Sequence, residues 1–215
     1  AGGIWQEADL ANYQVKERVP LRFSYGNYEF ITAPPSSSGG VALASIFNIL
    51  AGFDLAKQNK VERTHLLVEA MRRAYRDRAE YLGDPDFIDI PVARLISKDH
   101  AKEVSANLSL TAATPSSALR PIAPPPQGDH TTHLSVLDAQ GNRVAATLSI
   151  NYPFGAAFTP PGTGVLLNDE MDDFSAKPNA PNGYGLVGVE ANAIAPGKRP
   201  LSSMTPTFVE TPQRV

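Results

Sequence analysis

Side chains able to donate or accept protons recur at every second position in two short runs: Thr131, His133 and Ser135, then Thr147, Ser149 and Asn151. Period-two alternation places each run on one face of a strand. Thr131 stands first in its run, directly after a proline-rich stretch that ends "RPIAPPPQGDH". A lone threonine is a weak nucleophile, because nothing takes its proton. No GxSxG turn and no convincing Asp/His pair accompanies it. One arrangement supplies a base without a second residue. A backbone cut between His130 and Thr131 gives Thr131 a free α-amine, whose ordinary pKa of about 7.7–8.0 leaves a substantial fraction neutral near about pH 7.5 and able to accept the hydroxyl proton. The plain alternative is a solvent-facing sheet whose first residue is threonine because β-branched residues favour strands.

Two strands must position these groups. "TTHLSVLDAQGNRVAATLSIN" (131–151) alternates on either side of a glycine-containing turn, the pattern of a β-hairpin. A three-residue loop within Ala139–Asn142 sets Thr131 opposite Ser149 or Asn151 and gathers the six polar side chains on one face. Leu134, Val136, Leu148 and Ile150 then share the other. A two-residue loop mixes the faces, and a slip of one residue inverts every side chain.

Upstream, "YEFIT" (28–32) reads as a strand, and the serines of "PPSSSGG" are N-cap candidates for a helix over "VALASIFNIL". A longer helix follows in "VERTHLLVEAMRRAYRDRAEYLG". Its spacing predicts Leu67, Ala70, Met71, Ala74, Tyr75 and Leu82 on a buried face, with Arg72, Arg73, Arg76 and Asp77 on a solvated one. Gly83 stands as the C′ residue and Pro85 prevents continuation. "PVARLISKDHAKEVSANL" is a weaker third helix, and His65 and His100 read as structural. Residues 121–127 are linker, dividing the chain into 1–130 and 131–215.

Composition narrows the chemistry. The 215 residues are 42% hydrophobic and 19% charged, with a formal net charge of −3, the balance of a globular protein without the basic stripe that nucleic acid requires. No run reaches the roughly 20 apolar residues of a membrane span. The first residues lack the basic-then-apolar pattern of a signal peptide. There is no cysteine, which excludes disulfides, thiolate nucleophiles and Cys-ligated zinc. The histidines have no metal-binding spacing, and the acidic run 169–173 lacks that of an EF-hand. Nineteen prolines predict a loop-rich second half.

The hairpin sequence, then "GTGVLLNDEMDDFSAKP", "PNGYGLVG" and "ANAIAPGKRPLSSMTPT", resembles the start of the small subunit of γ-glutamyltranspeptidase (glutathione hydrolase). "GGIWQEADLANYQVKERVPL" and "APPSSSGG" resemble the second half of that family's large subunit. The resemblance covers nearly the whole chain, and "LLNDEMDDF" and "KRPLSSM" are its most specific motifs. It implies an α+β fold, the αββα sandwich of N-terminal-nucleophile hydrolases, incomplete in this chain. It implies that Thr131 is the nucleophile, freed by self-cleavage after His130, and that Ser149, where the family usually has threonine, orients it. Asn151, Glu170 and Asp173 match the positions that hold the α-ammonium of a γ-glutamyl group, and Ser202 and Ser203 those that bond its α-carboxylate. Residues 178–189, with Tyr184, correspond to a lid loop. Substrates are then γ-glutamyl amides such as glutathione, with water or an amino acid as acceptor, no metal or organic cofactor, and a periplasmic or secreted location.

The departures carry expectations of their own. Val189 replaces a family glycine and predicts a stiffer loop. The family's oxyanion glycine pair and carboxylate-clamping arginine are not among these residues, so the chain reads as an internal part of a longer polypeptide, uncleaved and inactive by itself. A glutaryl-type acylase of the same fold, or a non-catalytic binding scaffold, are the alternatives.

Overall fold

The computed structural model describes residues 4–119, 131–177, 180 and 188–212; linker residues 121–127, His130 and Tyr184 lie outside them. After a short helix α1 (Glu7–Ala11), strands β1 (Leu21–Tyr25) and β2 (Tyr28–Thr32) form a hairpin. Gly26, at φ +59, supplies its left-handed turn residue. The expected strand at 28–32 is therefore present, with a partner the sequence reading did not find. β5 (Thr207–Glu210) pairs antiparallel along the other edge of β2, giving the order β1-β2-β5.

Helix α2 (Gly39–Leu50) lies against this sheet. Phe47 packs on the stacked cross-strand pair Phe23–Phe30, whose ring centroids are 4.8 Å apart. No side chain caps α2 at Ser38; that hydroxyl reaches the carbonyl of Ser202 instead. Helix α3 (Lys60–Tyr81) starts with a capping box: Asn59 Oδ1 accepts from Val61 and Glu62, and the Glu62 carboxylate accepts from the Asn59 N–H. Its end falls as expected, but Gly83 is required by crowding. A Cβ there would lie 2.4 Å from the Ala191 carbonyl oxygen. The third helical segment divides into α4 (Val92–Leu95) and α5 (Lys98–Ser105), the latter capped by Ser97.

The buried face of α3 is rotated from the predicted one. Leu66, Glu69, Ala70, Arg73, Ala74, Asp77 and Arg78 are buried, whereas Leu67 and Met71 are exposed. Hydrophobic periodicity failed here because the helix buries charges in satisfied networks. All five N–H donors of Arg73 are used: Nε to the Val104 carbonyl, Nη1 to the Glu69 carbonyl and carboxylate, and Nη2 to Asn107 and Thr114. Burial opposes ionisation of Glu69, but hydrogen bonds from Thr114, Arg73 and Arg72 outweigh it and hold the carboxyl at about 2. Asp77 contacts His100 Nε2 at 2.6 Å, and His65 Nε2 meets the Ser109 carbonyl at 2.7 Å. Both histidines are structural, as expected.

Among the described residues, fully buried apolar side chains gather in two clusters. Ile49, Leu50, Leu66, Ala70, Ala101 and Val104 join α2, α3 and α5. Val41, Leu82, Leu95 and Leu201 form the second cluster, bringing the segment after residue 200 into contact with the helices. Strands β3 (Thr131–Leu137) and β4 (Arg143–Ser149) make a separate two-stranded sheet. It is tied to β5 by an ion pair between Arg143 and Glu210, with the Arg143 guanidinium 5.4 Å from the Phe208 ring centroid. No helix among the described residues is long and apolar enough to cross a membrane.

Candidate active site

The β3–β4 register sets the site. Thr131 pairs with Ser149, His133 with Thr147 and Leu137 with Arg143. The Asp138 N–H donates to the Asn142 carbonyl, leaving residues 139–141 as the three-residue loop that the polar face required. Asp138 fastens it by accepting from Gln140 N–H, Asn142 N–H and the Asn142 amide. At the open end, Thr131 Oγ1 lies 3.0 Å from Ser149 Oγ.

Ser149 Oγ also accepts from the Asn151 N–H at 3.0 Å. With a lone pair so occupied, its hydrogen is available to an acceptor. Asn151 adopts φ +71, a left-handed conformation that asparagine tolerates better than most residues, and it is buried. Its side-chain amide donates to the Asp169 carbonyl, and Asp169 accepts from the Tyr152 N–H. The acidic segment is thereby docked onto the end of β4.

A single 3₁₀ turn, Glu170–Asp173, brings two of the predicted carboxylates forward. Burial pushes Asp173 up to about 7, reinforced by Glu170, Asp169 and Asp172 and opposed by the Arg78 cation. Burial and then Asp169 raise Glu170, although hydrogen bonds with Asp173 and Ser149 act the other way. Like charges crowded in a partly dry place hold protons until a cation arrives. Such a group can accept hydrogen bonds from a cationic donor.

Ser202 and Ser203 reach the same region from the other side. Ser38 N–H and Oγ both donate to the Ser202 carbonyl, at 2.8 and 2.9 Å, and Ser202 N–H donates to Ser36. Buried Asn192 links this strip to the acidic turn: its amide donates to the Asp173 carbonyl, and its oxygen accepts from Leu201 N–H. Gly188 passes so close to Ser175 that a Cβ would lie 2.1 Å from the Ser175 hydroxyl oxygen. Val189 is extended, at φ −107, a conformation any side chain accepts.

Sequence reading missed Asn192, Ser38 and Arg78. Arg78 had a visible signal: it follows Ala70 and Ala74 at helical spacing, a cation on a stripe of small buried residues. Asn192 had none, since its three tertiary bonds depend on loops that meet only in the fold.

A mixed helix-and-sheet fold with a hydroxyl pair at a strand end beside a carboxylate turn defines a class. The chain superposes on the crystal structure of cephalosporin acylase from Bacillus halodurans with TM-score 0.77 and 26% identity, covering 99% of this chain and 36% of that one. The fold is that of N-terminal-nucleophile hydrolases, of which the chain contains a part. The γ-glutamyltranspeptidase family model matches residues 1–215, and the chain belongs to that family. It is 48% identical over 210 residues to a glutathione hydrolase proenzyme of Pseudomonas sp. (strain A14), and 46% identical over 211 residues to that of Escherichia coli (strain K12). Each alignment covers 97% of this chain and 36% of the relative, so the chain spans little more than a third of their length.

Proposed function

We propose that the protein carrying these residues moves a γ-glutamyl group from glutathione and related amides to water or an amino-acid acceptor, through an ester on Thr131. The observation that carries this reading is the 3.0 Å contact of Thr131 Oγ1 with Ser149 Oγ, beside the Glu170–Asp173 carboxylates. Cleavage after His130 exposes the Thr131 amine. That amine takes the hydroxyl proton as Oγ1 attacks the γ-carbonyl; the proton then passes to the departing amine, and water or an acceptor amine resolves the ester. Ser149 orients Oγ1. Asn151, Glu170 and Asp173 receive the substrate ammonium, while Ser202 and Ser203 donate to its α-carboxylate. Family membership supports these roles; a place in glutathione metabolism and a periplasmic or secreted location are part of the same proposal.

Incubating the complete protein with a γ-glutamyl anilide tests the reading by colour release, and absence of release by a folded, processed protein rejects it. The likeness to cephalosporin acylase favours a second reading, deacylation of glutaryl-type side chains. A glutaryl anilide separates the two, because it lacks the ammonium that the carboxylate turn is suited to hold.

Asp173 gives a quantitative test. Asp173→Ala is expected to raise KM for γ-glutamyl substrates by roughly 10- to 100-fold, the loss of one charge-assisted bond. The pH sign is definite. Asp173 ionises at about 7 when folded against an ordinary 3.8, so substrate binding tightens as pH rises through 7. Stability runs oppositely: the raised pKa favours the fold at low pH, and that advantage is lost as pH climbs through about 7. Asp173→Asn should therefore raise the melting temperature above pH 7, by a few degrees. An unchanged KM in Asp173→Ala removes Asp173 from ammonium binding.

A further inference from the structure

Arg78 ends a buried stripe of α3 and is 6% exposed. Among the described residues it makes no ion pair within 4.0 Å, although desolvated arginines ordinarily meet a carboxylate. Its guanidinium contacts hydroxyls instead: Nε donates to Ser38 Oγ at 3.0 Å and Nη2 to Ser203 Oγ at 3.2 Å. Ser38 is buried and also approaches Ser203, with the two hydroxyl oxygens 3.4 Å apart. Ser203 is exposed. An exposed hydroxyl thus has a buried cation donating to its oxygen from behind, which turns the serine hydrogen outward. A residue that only filled space would not need a charge here.

We propose that Arg78 is a positioning residue for γ-glutamyl recognition: it aims the Ser203 hydroxyl at the substrate α-carboxylate and sets a positive charge against Asp173. The inference rests on the function proposed above. The groups facing Asp173 are Glu170, Asp169 and Asp172 from its own segment, Tyr152 from the turn after β4, and Arg78 from α3, with Tyr75 beside Arg78. Arg78 is the cation among them. Its attraction holds Asp173 below where burial and the three carboxylates would drive it. Removing that charge shifts Asp173 ionisation, and with it ammonium binding, to higher pH.

The experiment compares Arg78→Gln and Arg78→Lys with the parent in the complete protein, measuring kcat and KM for a γ-glutamyl anilide on both sides of pH 7. Arg78→Gln should raise KM about tenfold or more while kcat changes little, and should move the acidic limb of kcat/KM to higher pH. Arg78→Lys keeps the charge but cannot span Ser38 and Ser203 together, so the limb stays while KM rises. A merely structural arginine would lower folded yield without moving the limb. A folded Arg78→Gln protein with parental KM and parental limb overturns the inference and leaves the proposed function intact; a parent inactive on the anilide sinks both. Should Arg78→Gln not fold, Ser38→Ala decides, since it removes one anchor and leaves the charge. A raised KM with an unmoved limb agrees, and an unchanged KM overturns.

Discussion

Thr131→Ala in the complete protein is expected to abolish both backbone cleavage after His130 and turnover, with kcat falling roughly 10⁴- to 10⁶-fold, the usual scale for deleting a nucleophile. In the proposed reaction both steps use the same oxygen. In the first, Oγ1 attacks the His130 carbonyl; in the second, the γ-glutamyl carbonyl. The substitution should leave folding unaffected, because Thr131 is exposed and its backbone pairing with Ser149 remains. Thr131→Ser keeps the oxygen and should retain part of each activity. Denaturing electrophoresis reads the cleavage and the γ-glutamyl anilide reads the turnover. Appreciable hydrolysis by the alanine variant would remove Thr131 from the reaction.

Arg73→Ala should be the most damaging change away from the site. It removes five hydrogen bonds and leaves Glu69 buried beside Thr114 with only Arg72 as cation. Breaking one side of a buried pair typically costs about 3–5 kcal/mol. Glu69 gives the effect a pH signature. Its folded pKa of about 2 lies below the ordinary 4.5, so its stabilisation is full above about 4.5 and fades as pH falls through 2. Denaturant titration of the variant should show the loss at neutral pH and a smaller difference from the parent in acid. A midpoint within experimental error of the parent's contradicts this account.

The hairpin was legible because two constraints coincided. Alternation fixed the faces and the glycine-containing turn limited the loop, so counting left Thr131 opposite Ser149 or Asn151, and the fold takes Ser149. The α3 face was misread for an equally physical reason: periodicity assumes that burial means apolar, and Glu69, Arg73, Asp77 and Arg78 are buried through each other and through Thr114, His100 and Ser38. β1 and β5 escaped notice because short strands owe their existence to partners. β5 is four residues whose pairing with β2 no local pattern announces. Motif resemblance nominated the candidate site residues; the loops and side chains that hold them in place, Asn192 above all, were not legible.

The β2–β5 pairing has a consequence for how the chain is made. Thr32 Oγ1 donates to the Pro206 carbonyl, 174 positions further along. A growing chain therefore carries β2 with one edge bare until residues 207–210 have been synthesised and released from the ribosome. The closure entropy of so long a loop must be met before that edge gains anything, which makes the pairing a late event in folding. Ser202 and Ser203 ride on the segment that delivers β5, through the Ser38 and Ser36 contacts. The two serines consequently take their places only as the sheet closes, so assembly of the candidate site reports synthesis of the polypeptide through residue 210.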